Sequence, residues 1–119
     1  MMRRLLYVIT AVYWCMMFVL THLPPRHVPQ IRMSDKLEHL LAFMMLGGLL
    51  YLCLKPLVRK PLLIVAGIGA AYGAFDEWTQ PLVGRSCELK DWVSDVSGII
   101  LGAGCIAIAL TLARAPRTG

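Results

Sequence analysis

Four apolar runs, set apart by short polar stretches, take up most of this 119-residue chain. They are Leu5 to Leu20, Leu37 to Leu54 interrupted by Glu38 and His39, Leu62 to Phe75, and Val93 to Ala113 with Asp95 near its start. A helix needs roughly 20 mostly apolar residues to cross the hydrocarbon of a bilayer, with about 17 as the lower limit. The third run reaches that length only if its helix continues through Asp76, Glu77 and Trp78. A soluble core of this size has no room for so many long apolar runs, whereas lipid has. Only 16% of the residues are charged, against about a quarter in soluble domains. The chain therefore reads as all-α: a four-transmembrane-helix bundle forming a single domain over residues 1–119, with helices at about 5–21, 36–54, 61–80 and 92–113.

The formal net charge of +5 raises nucleic acid as a partner. The basic residues argue against it, because they lie between the apolar runs instead of forming one stripe with interleaved aromatics. The start, Arg3-Arg4 followed by an apolar stretch, resembles a secretory signal. The run ends Thr21-His22-Leu23-Pro24-Pro25, however, with no small-x-small cleavage site, so a retained first helix is expected.

Lys and Arg set the orientation of a membrane protein. One side of the bundle receives Arg3, Arg4, Lys55, Arg59, Lys60, Arg114 and Arg117, and the other Arg26, Arg32, Lys36, Arg85 and Lys90. The first set, with its short basic loop from Lys55 to Lys60, is expected on the inner side, which puts both termini in the cytoplasm. Every acidic residue then falls on the outer side, as do all the histidines. Acidic residues carry little orientation information, so this asymmetry calls for another cause.

Packing signals are also present. Gly69 and Gly73 form a small-xxx-small pair on the third helix, and Gly98 and Gly102 form one on the fourth. Such pairs let helix backbones approach closely in lipid, so helices three and four are expected to pack on each other. Gly47 and Gly48 leave room for a neighbour against the second helix. Cys15, Cys53 and Cys105 lie within apolar runs and Cys87 in an outer loop; no metal or redox spacing is visible, and no disulfide is expected.

The polar residues near the outer helix ends are the candidate site. The second helix opens Ser34-Asp35-Lys36-Leu37-Glu38-His39, where Asp35 and Glu38 fit a capping box. His39 lies one turn after Asp35 on the same face, so Asp35 is placed to orient the imidazole. The third helix ends Asp76-Glu77-Trp78-Thr79-Gln80-Pro81. Counting from Leu62 at ~1.5 Å per residue, Asp76 lies about 21 Å into a core of about 30 Å. A charge at mid-membrane costs on the order of 3 kcal/mol, so two adjacent carboxyls there call for partners, water or protons. Asp91 suits an N-cap of the fourth helix; Asp95, one turn deeper, has no capping role. Arg85 and Lys36 are the nearby cations.

The segments Asp35-Lys36-x-x-His39-x-x-x-Phe43, Asp76-Glu77-x-x-Gln80, Gly84-Arg85 and Asp91-x-x-x-Asp95-x-x-Gly98-x-x-x-Gly102 together resemble the VanZ-like family, small membrane proteins named for a member linked to teicoplanin resistance. The resemblance covers roughly Asp35 to Gly102. Asp95 stands where the family often carries Asn, which adds an ionisable group, and Val83 precedes Gly84 where Pro is frequent. The resemblance implies a fold more than a reaction; with the Lys and Arg distribution, the expected location is the bacterial inner membrane with the site on its outer face.

Three functions remain open. In the first, the pocket binds or modulates the head group of a membrane lipid or a lipid-linked cell-wall precursor, with Arg85 gripping a phosphate or carboxylate and Gln80, Asp35, Asp91 and Asp95 lining the site. In the second, an enzyme uses Glu77, His39 and Asp76 for acid-base chemistry on a lipid-linked phosphate or ester, or the same set holds a divalent metal ion. In the third, the polar groups form a structural network only.

Overall fold

The computed structural model describes residues 1–23, 35–85 and 87–116, Asp35 by its backbone alone. The described residues form an all-helical chain with no strand: α1 (Met2–Thr21), α2 (Asp35–Leu54), α3 (Pro61–Thr79) and α4 (Leu89–Arg114). A short 3-10 turn, Gln80–Val83, continues from α3. Pro61 starts α3 at a position where its missing N–H costs nothing. Gly84, at φ 81°, closes the 3-10 turn in the left-handed conformation that favours glycine.

Three of these helices are long and apolar enough to cross a membrane: α1, α2 from Lys36 onward, and α4. The third apolar run does continue as a helix through Asp76, Glu77 and Trp78, yet α3 falls short of the other three in apolarity. Its last turn is Asp76-Glu77-Trp78-Thr79 and its body is rich in Gly and Ala.

Helices α2 and α4 run parallel and form the centre of the bundle. A Cβ on Gly98 would collide with the Leu40 carbonyl oxygen and one on Gly102 with the Met44 carbonyl oxygen, while one on Gly48 would meet the Ile106 side chain at 3.2 Å. Each α2 residue of these pairs thus advances one turn as its α4 partner does, the signature of a parallel seam. Gly47 in turn admits the backbone of Ile99. Lipid gives no hydrophobic drive for helix pairing, so close approach of small residues has to supply the contact.

This corrects the expected pairing of the two glycine motifs. Gly69 and Gly73 of α3 do face α4, against Ile99 and against Trp92 and Asp95. Gly98 and Gly102, however, serve α2. A helix that contacts two neighbours needs two faces, and α4 gives its glycine face to the closer one.

Phe43, Leu46, Val65, Ile99 and Ala103 fill the middle. Helix α1 is largely exposed and is tied to the rest by polar bonds: Tyr13 donates to the Ala42 carbonyl (2.7 Å) and Thr10 Oγ1 meets Cys53 Sγ (3.3 Å). Trp14 packs edge-on against Tyr72 of α3. The four cysteines are free thiols.

Candidate functional site

Helices α1 and α3 end where α2 and α4 begin, and that shared end collects the acidic side chains. Asp76 and Asp95 are 0% exposed, Glu77 3% and His39 7%. Two linked groups of contacts can be distinguished.

The first joins α1 to α3. Thr21 Oγ1 donates to Asp76 Oδ1 at 2.6 Å, and Gln80 Nε2 donates to Asp76 Oδ2 at 3.0 Å. His22 stands beside them, its Nδ1 at 2.9 Å from the Phe18 carbonyl and 3.6 Å from Asp76 Oδ1, its Nε2 at 2.5 Å from Thr79 Oγ1. Because a carbonyl only accepts, the Phe18 contact assigns the proton to Nδ1. Both oxygens of Asp76 are occupied, so this carboxylate clamps two helix ends.

The second joins α2, α3 and α4. His39 Nδ1 lies 2.7 Å from Asp95 Oδ1 and 3.9 Å from Glu77 Oε1. Glu77 Oε2 accepts the backbone N–H of Glu88 at 3.2 Å, one residue before α4 starts. Its other oxygen, Oε1, is buried without a hydrogen-bond partner, and so is Asp95 Oδ2. Gly73 makes the space for Asp95: a Cβ there would stand 3.3 Å from the Asp95 Cβ and 3.4 Å from Oδ2. Such orphaned polar atoms are uncommon in folded proteins and ask for an explanation.

At the rim, Lys36 Nζ reaches Glu88 Oε2 (3.1 Å) and Asp91 Oδ1 (3.4 Å). Asp91 is buried in the first turn of α4, whose N-cap is Glu88. The helix begins earlier than expected, so Asp91 lies inside its first turn and not at the N-cap, and the N–H of the N-cap residue Glu88 is met by Glu77 of α3. Arg85 points elsewhere: its Nη1 donates to the Leu23 carbonyl past the end of α1 (3.3 Å). Among the described residues Arg85 forms no ion pair. The side chain of Asp35 lies outside the described residues, as does the capping box expected there with Glu38. The expected contact of Asp35 with His39 lies outside them too; among the described residues, Asp95 is the carboxylate that meets the imidazole at hydrogen-bond distance.

Thr21, His22 and Thr79 belong to this end of the molecule and were not among the expected site residues. Thr21 and His22 close the first apolar run just before Pro24-Pro25, and that position was their only signal. Trp78, Leu82 and Leu89 surround the buried groups with outward-facing apolar surface, at 77%, 84% and 75% exposure.

No curated protein matches the chain, and no solved structure does either. The family model described as VanZ/LLP1 matches residues 8–110, from the first helix to near the end of the last. With its apolar helices and the polar segments quoted above falling inside that match, this chain is a membrane-type protein that belongs to the VanZ/LLP1 family.

Proposed function

We propose that the polar end of the bundle receives the head group of an envelope lipid or of a lipid-linked cell-wall precursor. The observation that carries this reading is the level at which the buried carboxylates lie. Glu77 is enclosed, and the next residue, Trp78, faces outward with Leu82 and Leu89. Tryptophan favours the boundary between hydrocarbon and water. A polar cluster beside such a collar stands at head-group depth, where a lipid presents phosphate and hydroxyl groups.

Four crossings belong to the proposal. The helix α3 has 19 residues. At a rise of ~1.5 Å per residue it reaches about 28 Å, close to the thickness of the hydrocarbon. Its polar last turn is enclosed by Thr21, Gln80, His39 and the start of α4. The opposite end of the bundle carries Arg3, Arg4, Lys55, Arg59, Lys60 and Arg114, so the positive-inside tendency supports termini in the cytoplasm and the site facing outward. A bacterial cytoplasmic membrane is the matching location.

A second reading draws on the His39–Asp95 pair. An imidazole oriented by a carboxylate, with Glu77 beside it, is an arrangement for general acid-base catalysis on a bound phosphate or ester. Photo-crosslinking separates the two. Wild-type protein reconstituted with a phospholipid carrying a photoactivatable head group is expected to crosslink at the Trp78–Leu82 segment, with less crosslinking in Glu77→Gln. Turnover of that lipid, abolished by His39→Gln, would favour the enzyme. Absence of crosslinking at this end in monodisperse wild-type protein would defeat the head-group reading.

A further inference from the structure

We infer that His39, Glu77 and Asp95 form a binding site for one divalent transition-metal ion, Zn²⁺ or Mn²⁺, held between α2, α3 and α4. The site stands whether or not a head group enters the pocket.

Three observations support it. The first is spacing. One ligand atom from each residue lies within 4.8 Å of the others, and two of the separations are 2.7 Å (His39 Nδ1 to Asp95 Oδ1) and 3.9 Å (His39 Nδ1 to Glu77 Oε1). Ligand atoms about 2.1 Å from an ion in tetrahedral or octahedral geometry are about 3.0–3.4 Å apart. Those two separations lie on either side of that range.

The second is the pair of orphaned oxygens. Glu77 Oε1, the oxygen that faces His39 Nδ1, is buried with no hydrogen-bond donor, and Asp95, which meets His39 through Oδ1, has its other oxygen Oδ2 buried and unmet on the Gly73 side. Leaving a carboxylate oxygen unmet in a dry interior is costly, and a cation removes that cost. The third is charge. Ionised Glu77 and Asp95 with a neutral imidazole would sum to minus two, which a divalent ion balances. Among the described residues no Lys or Arg pairs with either carboxylate, and Lys36 is engaged by Glu88 and Asp91.

The ligand set narrows the ion. One nitrogen and two carboxylates suit Zn²⁺ or Mn²⁺ better than Mg²⁺, which prefers oxygen ligands and keeps much of its water. Three protein ligands leave at least one position open to an oxygen donor. The ion would take the place of the proton that His39 Nδ1 now shares with Asp95.

The test uses the full chain in detergent micelles, stripped with a chelator and titrated with Mn²⁺ by electron paramagnetic resonance and with Zn²⁺ by calorimetry. One ion per chain is expected, with affinity falling by at least about tenfold in Glu77→Gln and in Asp95→Asn. Glu88→Gln, which alters only the rim, is expected to bind as wild type does. If a substituted chain does not fold, the wild-type Mn²⁺ spectrum still decides: it should carry nitrogen coupling from one imidazole, and His22→Gln should retain it. The assignment is overturned if monodisperse wild type binds neither ion at millimolar concentration. It is equally overturned if bound Mn²⁺ shows no imidazole coupling, or if folded Glu77→Gln and Asp95→Asn both bind like wild type.

Discussion

Asp95 on α4 meets His39 on α2 at 2.7 Å, although the two are 56 positions apart in the chain. The contact sits near the start of both helices, immediately before the glycine seam begins at the Leu40–Gly98 pair. Asp95→Asn keeps an acceptor for Nδ1 and is expected to leave a folded, monodisperse protein. Asp95→Leu removes this acceptor, at a cost of about 1.5–3 kcal/mol. Thermal unfolding in detergent, comparing the two variants, checks this.

The α2–α4 seam gives a sharper steric contrast. Gly102→Val drives a branched side chain into the Met44 backbone, and the helices must separate or shift at a cost of at least about 1–3 kcal/mol. Gly67 and Gly104 have open space where a Cβ would go. Alanine at either is expected to be neutral or slightly stabilising, because Ala loses less backbone freedom than Gly in a helix. Unfolding midpoints of the three variants, measured side by side, should separate by sign.

At the end of α1, Thr21 donates to a fully buried carboxylate of α3. Thr21→Val preserves shape and deletes the donor, with an expected loss of about 1.5–3 kcal/mol. Thr21→Ser keeps the hydroxyl and should recover most of it. Proteolysis of the reconstituted protein provides the readout, since α1 is otherwise held by few polar bonds and should be released first in the valine variant.

Cys87 follows the 3-10 turn at the acidic end and is exposed. In a Cys15→Ser, Cys53→Ser, Cys105→Ser background it is the sole thiol. A membrane-impermeant maleimide added to intact cells, or to spheroplasts if an outer membrane intervenes, is expected to label it. Labelling only after the membrane is broken would reverse the proposed orientation.

The helices were legible because lipid imposes length and apolarity on each run separately, a constraint written in consecutive residues. The weakness of the third run was legible too, since Asp76 and Glu77 interrupt it in the sequence. The pairing of α4 with α2 was not. Small-xxx-small spacing says that a face is close-packed but carries no label for its partner, and Gly98 looks the same whether Leu40 or a residue of α3 lies opposite.

The site divides in the same way. Asp76, Glu77, Asp95 and His39 drew notice because ionisable groups within apolar runs are costly. The difference between Asp76, with both oxygens satisfied, and Glu77, with one orphaned, depends on Thr21 and Gln80 arriving from particular directions. Arg85 was expected beside an anion because it is a nearby cation; its link to the Leu23 carbonyl depends on how the 3-10 turn aims it.

The antiparallel course of α3 against α4 has one more consequence. Asp91 lies in the first turn of α4, where exposed amide groups leave partial positive charge and a carboxylate is favoured by about 0.3–1 kcal/mol. Asp76 and Glu77 lie in the last turn of α3, the negative end of that helix's dipole, where the same group is disfavoured to a similar extent. Side chains of one kind thus meet opposing backbone fields at one end of the bundle, and Glu77 crosses from the unfavourable field of its own helix to the amide at the start of its neighbour.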